Sequence, residues 1–315
     1  MQRKMKVIIL AVILLLGFCL VRDFALKSLI GTVATSITGA PIHIGSLSLS
    51  LIGQSVRISD FKIYNPRGFA KGVLADIPKI DLNCDLKAFM ASRIHLRWLE
   101  LEVKEVSMVK NKEGKLNVDS LKIAAAKSRG KKNPAKELAM QIDVVSLGMG
   151  RVVNKDCSVE GRTLVKVYDI NLKRTYKNIT SAQQLAALII AEPLKAAGIQ
   201  GLKVYGVSLL TGVAALPVMA AFTFAARDYA QETFKMEIER VYNAGLRAVK
   251  IAGRVKEENR ESGVISGEVD GAWVTLKLKK LAEKSTQVTI SARKFGLPHA
   301  EIASGVMYRL NEQLK

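Results

Sequence analysis

Cysteine, histidine and aromatic residues are all scarce in this 315-residue chain, and each shortage removes a class of function. Three cysteines cannot build a disulfide framework. Cys19 lies inside an apolar run, which leaves Cys84 and Cys157 as the one pair that could meet in an oxidising compartment. His43, His95 and His299 are far apart and in no metal-ligand spacing, which argues against a zinc site. The sequence has no GxSxG elbow, Walker loop, dinucleotide fingerprint or HExxH. Asp76, Asp81 and Asp85 recur at strand spacing and are expected to face solvent between buried neighbours. The chain therefore reads as non-enzymatic, with no cofactor. Aromatics make up 6% of residues, and Trp98 and Trp273 read as core or sheet-face residues.

What the chain has in excess is positive charge, with a formal net charge of +20 and a pI near 9.9. Basic clusters bind phosphate by releasing counterions. Here the basic residues are scattered, and no zinc finger, RNP-type strand or helix-turn-helix pattern accompanies them. Nucleic acid is not the expected partner. An anionic lipid surface is, since each Lys or Arg near one contributes roughly 1 kcal/mol.

The longest apolar run, Val7 to Val21, follows Arg3, Lys4 and Lys6. Its side chains include Val7, Ile8, Leu10, Leu14, Leu16, Phe18 and Val21. As a helix rising ~1.5 Å per residue it covers most of a bilayer core. No small-x-small site follows it, and bulky Phe18 precedes Cys19, so an uncleaved inner-membrane anchor over residues 1–23 is expected rather than a cleaved signal. The basic flank places the amino end in the cytoplasm and the bulk of the chain in the periplasm. Helical spacing continues to about residue 39.

From Pro41 the period changes to two. Ile42 and Ile44, then Leu47, Leu49 and Leu51, alternate with small or polar residues, as a strand with one apolar face requires. Val56 and Ile58 continue with Phe61 and Ile63, and Ile80 and Leu82 continue with Cys84. Ile94, Leu96 and Trp98 give way to Leu99, Leu101 and Val103 in the other phase, which suggests a bulge near Trp98. Asn111 to Asn117 reads as a turn with Gly114 in the left-handed region. Strands resume at Met140 to Leu147 and Thr163 to Leu172, with a basic linker over Ala124 to Lys136 between the two groups. Residues 24–180 are thus expected to form a bent antiparallel sheet with an open apolar face. Its candidate lipid-groove residues are Ile42, Ile44, Leu47, Leu49, Leu51, Val56, Ile58, Ile80, Leu82, Ile94 and Leu96.

Residues 181–227 join a helix with Ser181 as N-cap to an uncharged stretch, Val204 to Ala226. That stretch fits three readings: a second membrane span, a buried hairpin, or an apolar plug on the sheet. Residues 228–315 read as a small α+β domain, with an Asp270-Gly271 hairpin between alternating runs. The overall fold class is α+β.

The order of features resembles the amino-terminal part of AsmA-like envelope proteins. The positions are Thr38-Gly39-Ala40-Pro41-Ile42-His43-Ile44-Gly45, the strands through Leu51 and from Val56 to Phe69, and Glu113-Gly114-Lys115-Leu116-Asn117 in place of an Asp-Gly-x-x-Asn turn. This covers about residues 1 to 175. A proline usual before that turn is missing around Val106 to Val109. The tail from about Val204 resembles a small domain of unknown function found in short bacterial lipoproteins, without the lipoprotein cysteine. The resemblance implies lipid handling or outer-membrane assembly support in the cell envelope, with phospholipid and the inner membrane as partners and envelope proteins as further candidates. The alternative is a scaffold that acts through protein contacts alone.

Overall fold

The computed structural model describes residues 38–50, 53–85, 93–121, 140–159, 162–181, 184–190 and 228–315, with isolated positions at 27, 31, 35, 88 and 214–215. The expected anchor, the basic linker, Leu51 and most of Val204 to Ala226 lie outside these residues. Among the described residues no helix is long and apolar enough to cross a membrane.

Seven strands form the first sheet in chain order: β1 (Ile42–Ser50), β2 (Ser55–Tyr64), β3 (Val73–Cys84), β4 (Ile94–Lys110), β5 (Met140–Asp156), β6 (Leu164–Ile179) and the short β7 (Ala214–Ala215). Alternation builds each strand: Leu47, Ile58, Ile80, Leu99, Leu101, Val145 and Leu147 are buried on one side. The other side carries charge. Arg57 donates to Asp81 at 2.8 Å, Lys79 to Glu100 at 3.1 Å, and Arg151 to Glu105 at 2.9 Å.

One expectation is corrected. The sheet is not wholly antiparallel, because β4 and β5 run parallel, with Ile94 opposite Met140 and Lys110 opposite Asp156. A parallel pair needs a long return connection. The chain between Lys110 and Met140 supplies one.

A crease crosses the sheet. The inward residues skip three positions rather than two at Ile44–Leu47, Ile58–Phe61, Ile77–Ile80, Val103–Val106 and Met149–Val152. The ladder breaks at the same level. Ile44 pairs with Phe61 and Ser46 with Ser59, Phe61 with Ile77 and Ser59 with Lys79, and Val103 with Met149 and Glu105 with Arg151. Two consecutive residues face outward on each strand there, so the strands bend while the apolar side stays continuous. The bulge expected near Trp98 is a separate one: Asn83 pairs with Trp98, and Cys84 with Leu96.

The tail is a second sheet of β8 (Tyr229–Phe234), β9 (Arg254–Asn259), β10 (Val264–Val269), β11 (Ala272–Ala282), β12 (Ser285–Lys294) and β13 (Leu297–Pro298), packed on α1 (Ile238–Ala252) and α2 (Ala300–Leu314). Asp270 (φ 53°) and Gly271 (φ 72°) make the two-residue turn between β10 and β11, as Asp-Gly predicts. Ile265, Val274, Leu276, Val288 and Ile290 of the sheet meet Val241, Val249, Val306 and Leu310 of the helices in one core.

Candidate functional site

The inner face of the first sheet carries one continuous apolar core, with half-buried apolar residues packed around it. Of the sequence-derived groove residues, Leu47, Ile58 and Ile80 are buried in its core, and Ile42, Ile44, Val56, Leu82 and Leu96 pack against that core half-buried. Leu49 and Ile94 are half-buried as well. The strand pairing brings these residues to one side: Leu47 stands opposite Ile58, Ile58 opposite Ile80, and Ile80 opposite Leu101.

Exposure grades across this face. Val145, Leu147 and Met149 on β5 are fully covered. Part of their cover is helical: Ala187, Leu188 and Ile190 belong to the same core, and residues 184–190 are helical. Ser181 caps this segment as expected, accepting from the Gln184 amide at 3.1 Å. At the β1 side the inward residues Ile42, Ile44 and Leu49 are only half-buried. The apolar face is thus closed over the middle of the sheet, where Ile58, Ala75, Ile77 and Ile80 are buried, and more open along β1 and at the end of β2 to β4 where Val56, Leu82 and Leu96 are half-buried.

At the far end of the core Asn117 is buried, although it is a polar side chain. Its Oδ1 accepts from the Val109 and Val118 amides at 2.9 Å each. Its Nδ2 donates to the Ser107 carbonyl at 2.9 Å and to Asn65 Oδ1 at 2.8 Å. All four bonding sites are satisfied, so this side chain clamps the turn after β4 onto the turn after β2. The sequence marks the residue as part of a turn, but nothing in it signals the clamp.

Among the described residues, the acidic and histidine side chains singled out in the sequence are each engaged in an ion pair. Asp81 bonds Arg57, whose hydrogen bond holds its carboxyl below the usual range against a smaller opposing effect of burial. Asp76 lies 3.7 Å from Lys104, and Asp85 lies 3.8 Å from Arg97. His95 lies 2.9 Å from Asp143, and His43 lies 3.4 Å from Asp60. Among the described residues no cluster of metal ligands exists. Cys84 and Cys157 are both free. Cys84 is level with Ile142, near the start of β5, whereas Cys157 follows its last residue, Asp156. At ~3.3 Å per residue that separation rules out a bridge in this fold.

The tail sits on the outer, charged face of the sheet. Val165 and Val167 of β6, with Val153 of β5, form a small apolar cluster that receives Tyr308 of α2. Tyr308 donates to Glu105 at 3.2 Å, and Lys155 lies 4.6 Å from the centre of its ring. Lys155 pairs with Glu312 at 2.9 Å, and Lys166 with Asp270 at 2.7 Å. Periodicity in the tail signals its own core. It gives no sign of this second contact, apart from the small residues Ala303, Ser304 and Gly305 in α2.

A bent, one-sided sheet with the turn clamp at Asn117 sits in a chain whose residues 1–306 match the AsmA family. The chain belongs to the AsmA family. The match runs through the tail, well past the first 175 residues in which the resemblance is legible. No curated protein matches the chain. For an AsmA-family protein, the graded apolar face and the docked tail are the two features that bear on function.

Proposed function

We propose that this AsmA-family protein is anchored in the inner membrane by Val7 to Val21 and binds or passes phospholipid acyl chains along the β1 edge of its sheet and the adjoining end of β2 to β4. The observation that carries this reading is the grade of exposure. One continuous apolar face is covered over its middle and left half-covered along β1 and at the end of β2 to β4 marked by Val56, Leu82 and Leu96. A water-exposed apolar strip is unfavourable in an isolated protein. Each methylene of an acyl chain laid on it contributes about 0.8 kcal/mol. The tail, a unit like that of short lipoproteins, braces the sheet from behind and shares its compartment.

The second reading is a scaffold acting through protein contacts. It is favoured by the helical cover of Ala187, Leu188 and Ile190, which shows the chain closing part of the face itself. The two are separated by extracting the full chain in detergent and identifying bound lipid by mass spectrometry, with a photo-reactive residue at Ile44 or Val56. Phospholipid cross-linked at these positions, and absent when the probe replaces outward Arg57, supports the groove. A protein adduct with no lipid supports the scaffold.

A further inference from the structure

The tail carries a second surface, distinct from the groove. Arg254, Glu268, Trp273 and Arg293 stand opposite one another across β9, β10, β11 and β12, and Pro298 of β13 continues the row. The row faces away from the helices, because the alternating neighbours Val269, Ala272 and Ala292 are the buried ones. Beyond it Phe295 (φ 50°) and Gly296 (φ 81°) form the β12–β13 turn. Lys294 Nζ donates to the Asp270 carbonyl at 3.1 Å, which ties that turn to the β10–β11 turn. The tip is therefore fixed while its side chains point outward: Phe295 is 94% exposed, Leu297 67% and Trp273 50%.

The first sheet adds to the same end. Arg162, from the loop between β5 and β6, shares a cavity of about 350 Å³ with Arg254, Glu268 and Asp270. Val159 in that loop is exposed, as is Ile251 at the end of α1. Five of the eight exposed large apolar side chains among the described residues thus gather at one end of the molecule. The acids there are engaged, Glu268 by Lys256 at 3.5 Å and Asp270 by Lys166 at 2.7 Å. Arg162, Arg254 and Arg293 have no ion pair among the described residues, so the net charge of the end is positive.

We propose that this end docks on a bilayer surface bearing anionic headgroups. Aromatic and aliphatic tips enter the headgroup layer, where Trp is favoured, and the arginines meet lipid phosphates. A lipid occupant fits better than a protein one. Trp, Phe and Arg also mark protein interfaces, but there they converge on one packed centre, whereas here the apolar tips project separately from turns and loops with cations between them. The proposal does not rest on the groove carrying lipid.

The chain has two tryptophans, so Trp98→Phe leaves Trp273 as the only one. The full chain bearing this change is placed in nanodiscs of ordinary lipid and mixed with vesicles of brominated phosphatidylglycerol. A parallel sample uses brominated anionic nanodiscs. Quenching of Trp273 in either arm, several-fold weaker after Phe295→Ser with Leu297→Ser, is the expected result. Alanine at Arg162, Arg254 and Arg293 weakens vesicle binding by roughly fivefold per cation. Melting curves of the variants report whether the tail remains folded. Unquenched Trp273 in both arms overturns the proposal, as does equal quenching by brominated zwitterionic lipid, or capture of a protein at this end with Trp273 unquenched. Lipid retained in the groove of the same preparation is read separately by mass spectrometry, so failure of one idea does not mask the other.

Discussion

Gly305 of α2 approaches Val165 of β6 so closely that a Cβ on it would stand 1.8 Å from the Val165 carbonyl oxygen. No flexible group is available to yield, because the obstacle is backbone. Gly305→Val is expected to separate the tail from the sheet, at a cost of about 1–3 kcal/mol or more, while the tail's own core stays intact. Hydrogen exchange resolves the outcome. Amides of β5 and β6 near Val153 and Val165 should lose protection, and those of β11 and β12 should keep it.

The same contact sets a pH dependence. Burial pushes the Glu312 carboxyl up, but hydrogen bonds and charge from Lys155 and Arg309 outweigh it and hold the group below the ordinary glutamate range. A depressed folded-state value means that the stabilisation is complete above the ordinary range and lost as pH falls through the lower one. Docking should therefore be constant from neutral to mildly acidic pH and loosen only in stronger acid. Glu312→Gln should weaken it at neutral pH and flatten this acid dependence. Proteolytic nicking rates before residue 228, followed across pH, provide the measurement.

Asn117→Ala removes four hydrogen bonds from a site with no exposure to solvent. The Val109 amide and Ser107 carbonyl would then be buried without partners. A loss of about 2–4 kcal/mol is expected, since each unmet buried group costs about 1–3 kcal/mol. Chemical denaturation of the extracted protein checks it. An unchanged midpoint would mean that the clamp is ornamental to stability.

The strands, the one-sided apolar pattern, the Ser181 cap and the Asp270-Gly271 hairpin are legible in the sequence because each is a local periodicity or a short-range conformational demand. The parallel pairing of β4 with β5 is not legible. Alternation at Leu99, Leu101 and Leu147 says which side is buried and is silent on which neighbour runs beside it. The docking of α2 is hidden for a similar reason: Tyr308 and Glu312 look like ordinary helix-surface residues until Glu105 and Lys155 are seen beneath them. Ala214 and Ala215, in the middle of a stretch long enough to span a bilayer, pair with Lys177 and Tyr176 at the sheet edge. Composition alone does not foresee that use of an uncharged segment.

That edge pairing and the docked tail together lead to an expectation about topology. Cysteine placed at Lys115 in the turn after β4 and at Lys280 in the tail, in a background with the native cysteines replaced by serine, should react with a membrane-impermeant maleimide from the same side of intact spheroplasts. Both side chains are exposed. Labelling at Lys115 alone, with Lys280 reached only after permeabilisation, would show that Val204 to Ala226 crosses the membrane and that the docked arrangement does not form there.

The crease can be tested on one strand with its own control. A Cβ at Gly150 would lie 2.7 Å from the Lys104 carbonyl oxygen, at the level where the ladder between β4 and β5 breaks. Two residues earlier a Cβ at Gly148 would lie 3.7 Å from the Leu101 carbonyl oxygen, an ordinary contact. Gly148→Ala should therefore be tolerated within about 1 kcal/mol, or even stabilise by restricting the unfolded chain. Gly150→Ala must push β4 away or flatten the bend, and about 1–3 kcal/mol of destabilisation is expected. If the bend shapes the apolar face for acyl chains, Gly150→Ala should also lower the phospholipid that co-purifies per molecule of folded protein, and Gly148→Ala should not. Equal lipid content in both variants, with Gly150→Ala alone destabilised, would separate the crease from lipid binding and leave it a purely architectural feature of the sheet.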